Sequence, residues 1–135
     1  MDDNAFDLFP ADVAAHWGVT VETITRHARA GRLPGICPTG TWRFRWRDVW
    51  RAEGRMLSRA CQAAIAERTA PLLDKRKVAK RLKGGIRSVE RHLADDLPKL
   101  RLPGGAVRVV PADLDRWIAT REEARRRRRA GVAAN

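Results

Sequence analysis

Tyrosine is absent from this 135-residue chain, cysteine occurs twice, and tryptophan and phenylalanine together reach only 6%. A platform on which single-stranded bases stack needs a row of exposed rings, so that mode of binding is poorly supported. Cys37 and Cys61 are too few and too far apart for a zinc site or a disulfide framework, and each reads as a reduced thiol. No apolar run approaches the roughly 18–20 residues that cross a bilayer, and the opening MDDNAFDLF is acidic where a secretory leader is basic. The expected location is therefore the cytoplasm, with no membrane partner. A phosphate-cradling loop is also missing, because Gly104-Gly105 is not followed by Lys-Ser/Thr. His16, His27 and His92 lack a nucleophile or metal-ligand partner by spacing. These absences point to a protein without catalysis, cofactor or metal.

Positive charge is abundant. Lys and Arg number 28 against 16 Asp and Glu, a net +12, which suits a polyanionic partner. The split is uneven: residues 1–69 carry +2 and residues 70–135 carry +10. Lys75, Arg76, Lys77, Lys80, Arg81 and Lys83 cluster in the second half, and Arg125 to Arg129 form an unbroken run.

Sliding the chain along itself by 65 residues places Leu8 on Leu73, Val13 on Val78, Ala14 on Ala79, Arg26 on Arg91 and His27 on His92. The same offset superposes Gly40 on Gly105, Arg43 on Arg108, Asp48 on Asp113 and Arg51 on Arg116, while Leu33-Pro34 falls on Leu97-Pro98 with a slip of one. The matches fall at structural punctuation, which indicates an internal duplication.

Both copies have the pattern short helix, turn, second helix, hairpin, longer helix. Pro10 suits a first helical position, and Val13, Ala14 and Trp17 recur at inward spacing. After Gly18-Val19, Thr20 is an N-cap for a helix to about Ala30 with Val21, Ile24 and Ala28 inward. Thr39-Gly40-Thr41 then reads as a hairpin tip, followed by a strand in which Trp42, Phe44 and Trp46 alternate with arginine and serve as core. In the second copy Asp74 caps a helix to about Leu82, Gly84-Gly85 turns, Ile86 to Ala94 form the next helix, and Gly104-Gly105 tip a hairpin returning through Val107 to Val110. Residues 47–69 carry Trp50, Leu57, Cys61, Ala64 and Ile65 on one stripe, with Gly54 as the weak point. A helix of about 20 residues rises about 30 Å, close to one DNA turn, so this connector either separates two heads or folds back on the first core.

The predicted fold is thus mainly α with small β-hairpin wings: two tandem winged helix-turn-helix modules, residues 6–53 and 70–121, joined by a linking helix over 47–69. A basic flexible tail over 122–135 follows a long helix that starts at Pro111 and turns Leu114, Trp117 and Ile118 inward. Such modules place a helix in the major groove of duplex DNA and a hairpin near the minor groove or backbone. Candidate contacts in the first module are Thr20, Glu22, Thr23, Arg26 and Arg29 on the second helix and Thr41, Arg43 and Arg45 on the wing. Those of the second module are Arg87, Ser88 and Arg91, then Arg101 and Arg108, with Arg125, Arg126 and Arg127 in the tail.

TVETITRHARAGRLPG, followed by a Gly-tipped hairpin and RDVW, resembles the MerR-like winged helices of phage and integrative-element excisionases. RSVERHLADDLPKLRLPGGAVRVVPADLDRWI resembles the same module. The resemblance implies that Glu22 and Arg26 read bases, that Arg29 holds phosphate and that the wing enters the minor groove. It also implies an architectural DNA-bending role beside an integrase or another element protein. The chain is expected to be a monomer in solution, able to assemble cooperatively on DNA, and to associate with the nucleoid. Arg87 stands where the first copy has its acidic residue and Ala94 where it has its second arginine, so the second copy is expected to add affinity more than discrimination. The same surface would also serve a small transcriptional regulator or a phage terminase small subunit. A structural RNA-binding protein is the alternative from another class.

Overall fold

The computed structural model describes residues 3–55 and 65–134. Among them it is mainly helical, with one two-stranded antiparallel sheet. The elements run α1 (Pro10–Trp17), α2 (Val21–Arg29), α3 (Trp46–Ala52), α4 (Ile65–Thr69), α5 (Lys75–Leu82), α6 (Ile86–Asp95), β1 (Leu100–Arg101), β2 (Val107–Arg108) and α7 (Pro111–Ala134).

Local chemistry starts the helices where the residue types demand it. Pro10 is the first residue of α1, where its missing N–H is no loss. The Thr20 hydroxyl accepts from the Thr23 amide at 3.2 Å, and the Asp74 carboxylate accepts from the Lys77 amide at 2.9 Å. Each satisfies one of the amides that a helix N-terminus leaves unpaired.

The offset of 65 governs the backbone. Helices α1, α2 and α3 begin at residues 10, 21 and 46, and α5, α6 and α7 at 75, 86 and 111. A bridge joins Leu8 to Phe44 and another joins Leu73 to Val109. Ile36 pairs with Arg43, and Leu100 with Arg108, which reproduces the one-residue slip on the first strand alone. Val13, Ile24, Phe44 and Val49 are fully buried, as are Val78, Val89, Val109 and Leu114 at the equivalent positions.

Four expectations change. The single helix over 47–69 is interrupted: α3 ends at Ala52, and Gly54 has φ +81°, a left-handed conformation that cannot continue a helix. The chain folds back, since Trp50 Nε1 donates to the Arg68 carbonyl at 3.0 Å, whereas 18 helical residues would separate the two by about 27 Å. Leu57, Cys61 and Ala64 lie outside the described residues. Trp46 opens α3 instead of extending a strand, although Trp42 and Trp46 do pack on the core as expected. Val21, the first residue of α2, is exposed rather than inward. The basic tail continues α7 to Ala134, because 122–130 contains no Gly or Pro and Glu123 pairs with Arg127 one turn on, at 2.7 Å.

The copies also share a core. Leu72, Leu102 and Val110 from the second copy are buried with Val13, Trp17, Ile24 and Leu33 of the first, while Val78, Val89, Leu93 and Leu114 form a second cluster. Packing of the first module therefore extends well past residue 53.

Candidate nucleic-acid interface

Helix α2 has one buried and one open face. Ile24, His27 and Ala28 are enclosed, while Glu22, Arg26 and Arg29 are exposed. Those three follow at spacings of four and three, which aligns them as one stripe. With Thr25 and Ala30 they line an open depression on the surface. Thr20 stays at the helix entrance, its hydroxyl engaged by the Thr23 amide and 2.9 Å from the Thr23 hydroxyl.

Helix α6 repeats this division with other side chains. Val89 and Leu93 are buried, Arg87 and Arg91 are exposed, and Ser88 is half-buried, accepting from Arg91 Nη2 at 3.4 Å. Glu90 is exposed beside Arg91, and Lys75 Nζ of α5 lies 3.6 Å from its carboxylate. Exposed Arg76, Lys77, Lys80 and Arg81 extend the basic surface along α5.

The hairpins divide the remaining candidates. Thr41 and Arg43 are exposed, and the Arg43 guanidinium stacks 4.9 Å from the Phe9 ring centroid. Arg101 is likewise exposed. Arg45 leaves the set: half-buried over the Phe6 ring at 5.1 Å, it donates to buried Asp48, and this bond raises its pKa. Arg108 leaves it as well. Its Nε donates to the Trp17 carbonyl at 2.7 Å, Nη1 to the Val107 carbonyl at 2.9 Å and Nη2 to the Gly18 carbonyl at 3.3 Å. Arg125, Arg126 and Arg127 are exposed on a helix, so they radiate around a rod at about 100° intervals.

His27 sits where the copies meet. Its Nδ1 accepts from Arg32 Nε at 3.0 Å, and a methyl group added to Gly104, at the tip of the second hairpin, would lie 3.3 Å from its Cε1. Burial, reinforced by the charges of Arg32 and Arg26, lowers its pKa.

Val21 and Ile86 went unrecognised from sequence as surface residues. They are the first residues of α2 and α6, 65 apart, and are 48% and 39% exposed. Their shared offset and helix-start position were the available signal. Among the described residues no cluster of three or more His, Cys, Asp or Glu could hold a metal ion, and no helix is long and apolar enough to cross a membrane.

No protein-family model matches the chain, and no similar curated protein or solved structure was found.

Proposed function

We propose that the chain is a sequence-specific double-stranded DNA-binding protein made of two tandem winged helix-turn-helix modules, with α2 and α6 as its groove-entering helices. One observation carries this reading: at positions 65 apart, two short helices each bury an apolar face and present arginines to solvent, Arg26 and Arg91, on a chain of charge +12. An arginine so placed can fork onto guanine or grip phosphate. Glu22 beside Arg26 can accept from cytosine, while Arg87 replaces it in α6, which favours discrimination by α2 and affinity by α6. Thr41, Arg43 and Arg101 would face groove or backbone, and Arg125 to Arg127 would add phosphate contacts. The chain's part is binding, with no chemical step. As a finer role we propose assistance to a recombinase in excision, by bending DNA at the assembled site.

Titration of the full chain with a random-sequence duplex pool and with structured RNA at 150 mM salt tests the class. Duplex DNA is expected to bind more tightly, with affinity falling about 10³- to 10⁵-fold between 50 and 200 mM salt if 6–10 phosphates are neutralised. A preference for RNA would overturn it.

A further inference from the structure

We propose that Arg108 is a positioning residue that locks α2 and α6 at one separation, so that the chain accepts a single spacing between its two DNA half-sites. The proposal rests on the DNA-binding reading above. The Trp17 and Gly18 carbonyls lie at the C-terminal end of α1, where a helix leaves its last carbonyls unpaired, and Gly18 begins the turn that leads into α2. Arg108 lies on β2, which pairs with the strand that follows α6. One guanidinium therefore ties the turn before the first reading helix to the hairpin after the second. A planar, forked cation suits this task, because it can address two successive carbonyls at once while keeping a third donor for its own strand.

The tie is backed on both sides by apolar contact. Leu72, Leu102 and Val110 enter the first core, with Leu100 and Ala106 packed against it. The hairpin tip closes on His27 at Gly104, and the Leu72 amide donates to the His16 carbonyl at 2.8 Å. Buried hydrocarbon on either side of a three-donor cation makes a seat rather than a hinge.

Rigidity has a consequence on DNA. Each inserted base pair advances one half-site by about 3.4 Å and turns it by about 36°, given roughly 10 base pairs and 34–36 Å per turn. Two independently tethered heads would follow that displacement, whereas two locked heads would lose one set of contacts.

The test uses the full chain. Duplexes enriched from a random pool define the preferred site, and synthetic versions with one, two or five base pairs inserted between the half-sites are compared by fluorescence anisotropy at 150 mM salt. The wild-type chain is expected to favour one spacing and to lose at least about tenfold in affinity for a one-base-pair insertion, comparable to a mismatched position. Arg108→Met, which keeps the apolar stem, is expected to shrink that loss severalfold and to bind an isolated half-site like the wild type. Insertion without loss in the wild type, enrichment of only one half-site, or an undiminished loss in Arg108→Met would each overturn the lock. The wild-type series needs no variant, so insertion without loss overturns the lock even if Arg108→Met is poorly folded. In that case Arg108→Lys, which keeps the charge but not the fork, is expected to shrink the loss in the same direction; an undiminished loss in Arg108→Lys would overturn the assignment to Arg108. Failure to bind any duplex would instead overturn the DNA-binding reading.

Discussion

Behind the first helix pair lies a buried carboxylate, and behind the second lies hydrocarbon. Glu53, fully enclosed, accepts from His16 Nε2 at 2.6 Å and from Trp17 Nε1 at 2.8 Å, with Arg55 Nε 2.9 Å away. Sixty-five residues later the equivalents are Ile118 for Glu53, Leu82 for Trp17 and Arg81 for His16. Ile118 and Leu82 pack on the second core, while Arg81 turns outward to Asp115 at 3.2 Å. A desolvated carboxylate is tolerable only when its charge is compensated, so the first copy depends on the two donors at Glu53 Oε1 and the Arg55 cation beside Oε2, and the second does not. Equal backbones can thus be held by different means, which leaves the exposed faces of α2 and α6 free to diverge in charge.

That contrast is broken most directly at its centre. Glu53→Ala strands the His16 and Trp17 donors and the Arg55 cation, and is expected to lower unfolding stability by about 3–5 kcal/mol. Ile118→Ala, a half-buried site, is expected to cost only about 1–2 kcal/mol, below the usual range for a buried isoleucine. Chemical denaturation measures both, and equal losses would erase the distinction between the copies. On the reading faces, Arg26→Ala is expected to cost about 1–3 kcal/mol on the preferred duplex and to relax one base position. Arg91→Ala should instead weaken binding with a smaller change of base preference, confined to the second half-site. Selection profiles for the two variants check this, and a larger loss of sequence preference with Arg91→Ala than with Arg26→Ala would reverse the assigned roles.

A smaller contrast sits in the turns. Gly18 closes α1 with φ +68°, but the equivalent position after α5 is Lys83 at φ +55°, where a side chain is strained. Lys83→Gly is expected to raise stability by about 0.5–1 kcal/mol, and Gly18→Ala to lower it by about 1 kcal/mol, as read from thermal unfolding. The last contrast concerns pH. Because the folded chain holds the His27 pKa below its ordinary 6.5, the unfolded chain takes up the proton first. Folding stability should therefore decline as pH falls below about 6.5 and level off once pH passes the lowered folded value. His27→Asn removes this titration, and an unaltered pH profile between pH 7 and 5 would assign the decline to other groups.

Much of the backbone was legible in the residues themselves. Pro10, Thr20 and Asp74 mark helix starts because caps act locally, and the offset of 65 carries over to helix starts, strand bridges and buried positions. What escaped was long-range. Arg108 matches Arg43 in the repeat and sits on a hairpin, and nothing in its spacing distinguishes a phosphate from the carbonyl of Trp17, 91 residues away. The connector could be a rod or a return, and Gly54 alone did not decide it. The arginine run suggested an unravelled tail by its like charges, yet the absence of helix breakers outweighed them. Alternation along a strand places Arg45 outward, while its capture by Asp48 depends on α3 starting at the very next residue.

The seat between the copies is not repeated on the first copy. A contact in which one unit's hairpin meets the next unit's helix turn is head-to-tail, and such contacts build fibres unless something stops them. Leu72 and Val110, which line the seat, correspond to Asp7 and Arg45 in the first copy, and Leu102 falls at exposed Cys37-Pro38. The first copy thus brings a carboxylate before α1 and a salt-bridged guanidinium after its hairpin where the second brings hydrocarbon. By this chemistry the first copy lacks the apolar side chains with which the second seats itself on its neighbour, and the contact between the two helix pairs runs in one direction only.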